Sequence, residues 1–136
     1  MSLLATIAVQ IAHEPGQSEV CDIDLVQSRP VELRIQSRHL GSMAFTGDDV
    51  FEALVALRLR LEQDGYLLLC NAARKDAYPS RMSREMGGGR KIYLLKQGMQ
   101  AHREDLVDVF AAATYDQVAT VAEQRSTYEA WIRSLK

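Results

Sequence analysis

The sequence lacks most of the features that mark specialised protein classes. Its two cysteines, Cys21 and Cys70, are too few for a disulfide-stapled secreted scaffold, and their wide separation gives no C-x-x-C metal or redox motif. No segment approaches the ~18 consecutive apolar residues of a membrane-spanning helix. The apolar run 3–12 lacks the basic residues and cleavage pattern of a signal peptide. We therefore expect a cytoplasmic protein with no membrane partner.

Metal and cofactor motifs are missing too. The three histidines, His13, His39 and His102, are scattered, and none has a second ligand at metal-binding spacing. The glycines follow neither the spacing of a Walker loop nor that of a dinucleotide-binding fold. We therefore expect no structural metal and no bound cofactor.

What the sequence does have is the composition of an ordinary folded protein. Its 136 residues are 47% hydrophobic and 25% charged, which excludes a disordered or fibrous chain and suits one hydrophobic core. We interpret residues 1–136 as a single α+β domain.

Alternating apolar and polar residues predict three strands in the first third of the chain, at 3–11, 21–25 and 31–35. Short turns join them, so they read as an antiparallel meander with one buried and one wet face. The wet face is mainly acidic and carries Asp22 and Asp24.

The period changes to that of a helix after Thr46-Gly47-Asp48-Asp49, where an apolar stripe runs from Val50 to Leu61. The unbroken apolar runs 66–70 and 91–95 predict two more strands, the first of them central in the sheet. Two helices are predicted after them, one over 104–113 and one opened by the capping box Thr114–Gln117. The expected fold is α+β, a single-layer mixed and largely antiparallel sheet of about five strands with helices on one face, in the order β-β-β-α-β-β-α-α.

Charge is distributed unevenly along the chain. The net charge is −2, yet residues 74–103 carry eight basic and two acidic side chains. The acidic remainder argues against nucleic acid as a partner, while the basic window provides one local patch for an anion or an acidic protein surface. Alternatively, this segment folds back against the acidic flanks.

The connection 71–90 is the candidate binding segment, because it is far longer than the usual ~4 to 6 residues. Successive amides at a triple glycine can form a concavity that receives an anion, and neighbouring arginines add charged donors. A flexible hairpin connection is the alternative. The candidate ligand- or partner-binding residues are Arg74, Lys75, Tyr78, Arg81, Arg84, Gly87, Gly88, Gly89, Arg90 and Lys91.

Catalytic candidates are weaker. Cys70 follows a predicted strand, and His39 or His102 with Asp76 could activate it, but no local motif links these residues, and a lone strand cysteine is usually a small buried hydrophobe. We therefore predict no catalytic residues. Tyr128 and Trp131 are interpreted as core or lid anchors rather than ligand-stacking groups.

The second half of the chain resembles a family of small uncharacterised bacterial proteins. The resemblance rests on Arg74-Lys75-Asp76-Ala77-Tyr78-Pro79-Ser80, Met82, Met86-Gly87-Gly88-Gly89-Arg90-Lys91 and the segment 103–107. In size, acidity and layout, though in no motif, the chain also resembles the immunity proteins that bacteria keep beside polymorphic toxins. Neither resemblance assigns a role to any residue.

Two functions follow as hypotheses. The first is a non-enzymatic interaction protein, of immunity type, that meets a protein partner through the basic segment 74–91 or through the acidic sheet face. The second is a small-anion or nucleotide-binding protein that holds a phosphate-bearing small molecule among the cations and amides of 74–91. A Cys70-dependent enzyme is a third and weaker alternative.

Overall fold

The computed structural model describes residues 2–136, which form two antiparallel sheets and three α-helices. The elements are β1 (Ser2–Glu14), β2 (Gln17–Gln27), β3 (Val31–Ser37), β4 (Gly41–Gly47), α1 (Val50–Glu62), β5 (Leu67–Leu69), β6 (Ala77–Tyr78), α2 (Arg81–Gly87), β7 (Lys91–Leu94), β8 (Leu106–Asp108) and α3 (Val121–Ser134). Short 3-10 turns cover Asn71–Ala73, Arg103–Asp105 and Tyr115–Gln117.

The larger sheet has the strand order β4-β3-β2-β1-β5, with every neighbouring pair antiparallel. Strand periodicity places Ile23 and Ile35 on its inner face, where both are buried. Helix α1 covers this face with Leu54 and Leu57. The expected α+β class and the five-stranded antiparallel sheet with a helix on one face are confirmed.

The meander has four strands where the sequence predicts three. The additional strand, β4, reads Gly41-Ser42-Met43-Ala44-Phe45-Thr46-Gly47 and pairs with β3 along its whole length. Its small residues and terminal glycines give little hydrophobic alternation, so pairing with β3 rather than local propensity makes it a strand.

The predicted central strand is instead the last strand of its sheet. β5 pairs with β1 alone, and its other side is covered by the segment after β8, since Asn71 N donates to Ala111 O and Ala113 N donates to Leu69 O. Leu68 of β5 is buried, and Leu67 and Leu69 are partly buried against the core, so this apolar run does not mark a central strand. The predicted strand at 91–95 lies in a second sheet, of order β6-β7-β8.

The predicted helix over 104–113 is wrong. A 3-10 turn at Arg103–Asp105 leads directly into β8, which pairs with β7. Short apolar runs fit a helix or a strand equally well, and here the tertiary partner decides. The capping box Thr114–Gln117 forms a 3-10 turn, and α3 begins later, capped by Thr120.

Leu68 tests the buried position of β5. Its side chain is 1% exposed against α1 and the sheet, whereas that of the neighbouring Leu69 is only half-buried. Leu68→Ala should lower the free energy of unfolding by about 2 to 5 kcal/mol, since it removes buried methyl groups and leaves a cavity. Leu69→Ala is the matched control and should cost less. Equal midpoint shifts in a denaturant melt would contradict this placement.

Among the helices of residues 2–136, none is long and apolar enough to cross a membrane.

Candidate functional site

The candidate segment 71–90 is folded into regular elements. It contains the 3-10 turn Asn71–Ala73, strand β6 and helix α2. Ser80 begins α2, because its Oγ accepts a hydrogen bond from the Ser83 amide at 3.0 Å. The cations of the segment therefore project from fixed elements rather than from a long irregular loop.

The triple glycine closes α2 and docks it on α1. Gly88 and Gly89 have φ angles of 65° and 74°, a left-handed conformation that favours glycine, and both amides donate to the Ser83 carbonyl. The Gly88 carbonyl accepts from Val50 N at 2.9 Å. These two amides are engaged within the protein, so they do not form the anion-receiving concavity that the sequence suggested.

Arg84 also faces inward. Its Nη1 lies 3.5 Å from Asp49 Oδ2, and its guanidinium lies 5.0 Å from the centroid of the Phe51 ring and 6.0 Å from that of Tyr78. Asp49 in turn caps α1 by accepting from Glu52 N at 2.8 Å. Arg84 therefore ties α2 to α1.

The remaining cations differ in their partners. Arg74 donates from Nε and Nη2 to the two carboxylate oxygens of Asp76, each at 2.8 Å, and this hydrogen bonding raises the pKa of Arg74. Arg81 Nε donates to Glu85 at 3.0 Å between two exposed side chains. Three cations make no ion pair with any residue of 2–136, namely Lys75, Arg90 and Lys91.

The ten candidate residues do not surround one concavity. Tyr78 and Arg81 line a cleft beside α3, whereas Arg84 and Gly88 line an open hollow next to Pro30. Lys75 lies in a third depression, on another side of α3. The structure thus brings Tyr78 and Arg81 together in one cleft, whereas Arg84, although 6.0 Å from the centroid of the Tyr78 ring, does not line that cleft.

The cleft that holds Tyr78 and Arg81 has a volume of about 410 Å³, and we call it the aromatic cleft. Helix α3 forms one wall, and β6, β7, the start of α2 and the segment after β7 form the rest. Its aromatic lining consists of Tyr78, Tyr93, Tyr128 and Trp131, and its polar lining includes Ser80, Arg81 and Gln100.

Stacked rings connect the α3 wall of the cleft to the β6 wall. The Tyr78 and Tyr128 centroids lie 3.9 Å apart with an interplanar angle of 11°, and Trp131 continues the stack 6.1 Å from Tyr128. Trp131 Nε1 donates to the Met99 carbonyl at 2.9 Å, which fixes the indole. The interpretation of Tyr128 and Trp131 as anchors missed their position in this cleft. Their i,i+3 spacing on one helix face was the available signal.

Helix α2 carries an exposed apolar pair. None of its residues is buried, and the side chains of Met82 and Met86 are 68% and 83% exposed. They lie four residues apart on the side opposite the inward-facing Arg84. We call Met82 and Met86, together with Arg81 at the start of the helix and with Arg90 and Lys91, which follow the helix in the chain, the α2 face.

The cysteine hypothesis has little support in the geometry. Cys70 is fully buried, and burial raises the pKa of its thiol to about 11, so the thiol is protonated near neutral pH and a poor nucleophile. His39 Nε2 instead lies 2.7 Å from Asp64 Oδ2, and hydrogen bonds from Arg60 and His39 lower the pKa of Asp64. His102 caps a turn with Asp105.

The acidic sheet face is partly neutralised by its own residues. Arg34 Nε donates to Glu32, and Thr6 Oγ1 donates to Asp24 at 2.8 Å. This face is therefore a mixed polar surface, in contrast to the basic and apolar α2 face.

In the part of the chain that the structure covers, no three His, Cys, Asp or Glu side chains form a group that could hold a metal ion. Comparison with protein-family models gives no match to this chain, and a search of curated proteins gives none either.

Proposed function

We propose that the chain is a non-enzymatic binding protein whose α2 face contacts an acidic surface of a partner protein. The observation that carries the proposal is the exposure of Met82 and Met86, at 68% and 83%, on a helix with no buried residue. Burial of both side chains against a partner would remove this apolar surface from water.

The composition of the α2 face favours a protein partner. Methionine and arginine are enriched in protein interfaces, and unbranched methionine side chains adapt to irregular surfaces. Arg81 is 90% exposed in its side chain, and its ion pair with Glu85 is a solvent-exposed pair of the kind that contributes little stability. A partner can therefore compete for this guanidinium at low cost.

The positive charge of the α2 face favours an acidic partner. Arg90 and Lys91 are exposed and make no ion pair with residues 2–136, so they add positive charge to the segment that directly follows α2. Such a field raises the association rate more than the affinity and weakens with salt. The sheet face has less support as the contact surface, because Arg34 is interspersed among its carboxylates.

Replacing both methionines tests the proposal. The double variant Met82→Ser, Met86→Ser should capture the partner from a lysate of the source cells roughly tenfold less well than the original protein. Capture by the original protein should also fall as salt is raised. The matched control is Leu3→Ser, Leu4→Ser, which removes two exposed apolar side chains of β1. Equal capture by both variants, or no stoichiometric partner at low salt, would overturn the proposal.

The identity of the captured protein tests a more specific proposal, namely that the chain is an immunity protein. If the partner is a toxin whose activity is blocked in the complex, the chain acts as an immunity protein. A captured partner that is not a toxin would support the proposed binding function and contradict the immunity function.

A further inference from the structure

We propose that the aromatic cleft binds a small organic carboxylate with a flat apolar body. The site shares Arg81 with the α2 face but includes neither of its methionines, and the inference does not depend on that function. It rests on the volume of the cleft, on the unused polar groups in its lining and on the sign of its charge.

The apolar part of the lining fits a flat molecule. The volume of about 410 Å³ lies within the range of small-molecule pockets. The stack of Tyr78, Tyr128 and Trp131 joins the β6 wall to the α3 wall, with interplanar angles of 11° and 23°. Because stacking and the Trp131 to Met99 hydrogen bond already hold these rings, a ligand meets a preformed surface.

The polar part of the lining has unused hydrogen-bonding capacity. Of the five tyrosines, Tyr115 alone has a hydroxyl that bonds to another residue of 2–136, and none of the three tyrosine hydroxyls of the cleft is a buried atom. The hydroxyls of Tyr78, Tyr93 and Tyr128 are thus accessible to a ligand or water. Phenolic hydroxyls donate to acceptor-rich groups, such as carboxylates.

The charge of the lining selects an anion. Among residues 2–136, Arg81 is the only charged residue that lines the cleft, and no aspartate or glutamate lines it. Its Nε donates to Glu85, which lies outside the lining, while its two Nη groups make no hydrogen bond within residues 2–136. A guanidinium with free Nη groups can bind a carboxylate by charge-assisted hydrogen bonds.

Binding can be followed through the indole of Trp131, the only tryptophan in the chain. The probes are 3-phenylpropionate, its neutral counterpart 3-phenylpropanamide, and inorganic phosphate, which has no apolar body. We expect a saturable change in Trp131 emission with the carboxylate, roughly tenfold weaker binding of the amide, and no saturable change with phosphate.

Two arginine variants assign the charge preference. Arg81→Gln should lose the preference for the carboxylate over the amide. Arg125→Gln should keep it, because Arg125 is also exposed and paired four residues along its helix, with Glu129, but does not line the aromatic cleft. No saturable change with either organic probe would overturn the site. Equal binding of the carboxylate and the amide would contradict the proposal that the cleft prefers an anion. Equal effects of Arg81→Gln and Arg125→Gln would contradict it as well.

Discussion

Arg58→Ala is expected to lower the free energy of unfolding by about 3 to 5 kcal/mol. Arg58 lies in α1 and is only 2% exposed. Its guanidinium donates to Gln124 Oε1 at 2.6 Å, Ala119 O at 3.0 Å and Ala72 O at 3.2 Å. Loss of the side chain leaves these acceptors short of donors and opens a cavity at the junction of α1 and α3.

Burial itself disfavours the charge on Arg58 and lowers its pKa to about 10, so the group still carries its proton at neutral pH. The hydrogen bonds offset that desolvation. Removal of Arg58 also removes the desolvation penalty, so the expected loss is smaller than the sum of three broken hydrogen bonds.

Arg60→Ala is the control for Arg58→Ala. Arg60 lies in the same helix but pairs with Asp64 at the surface, at 2.8 Å. Its loss should change the free energy of unfolding by no more than about 1 kcal/mol. Chemical denaturation of both variants measures the difference. A cost for Arg58→Ala as small as that for Arg60→Ala would show that the buried network is dispensable.

Gly89→Ala is expected to cost about 2 to 5 kcal/mol of unfolding free energy. The left-handed conformation accounts for about 1 to 2 kcal/mol, and overpacking accounts for the remainder. A Cβ at Gly89 would lie 2.8 Å from Asp49 Cγ and 2.9 Å from Phe51 N. It would therefore displace α2 from the start of α1 and disturb the carboxylate that caps α1.

Gly88→Ala separates these two effects. Gly88 has a similar φ of 65°, but a Cβ there has no neighbouring atom within 4 Å. Its substitution should thus cost only the conformational part, about 1 to 2 kcal/mol. Thermal melts of the two variants under the same conditions measure the difference in their stability. Similar melting temperatures would mean that close packing at Gly89 adds nothing.

The elements that could be predicted from the sequence are those with a strong local period. The alternation in β2 and β3 and the apolar stripe of α1 depend on residues close together in the chain. Helix α2 was missed because it is short and buries none of its residues, so it leaves no apolar stripe.

The candidate site was predictable only in part. The charge, the length and the triple glycine of the basic segment identify it as a candidate, but the inward direction of Arg84 depends on contacts with α1, far away in the chain. Arg58 was also overlooked, although it lies four residues after Leu54 and three before Leu61 and so shares their buried face. The aromatic cleft combines rings from β6, β7 and α3, and no local pattern reports that arrangement.

The attachment of α3 determines how firmly the aromatic cleft is held together. Gln124 is the one buried residue of α3, and it donates to the carbonyls of Ala72 and Arg74 at 2.8 and 2.9 Å while accepting from Arg58. Because no other residue of α3 is buried, the free energy of local opening of this helix depends largely on its hydrogen bonds and stacked rings. A ligand that contacts both walls of the aromatic cleft would add its binding free energy to these interactions. It would thereby reduce how often α3 separates from the rest of the protein.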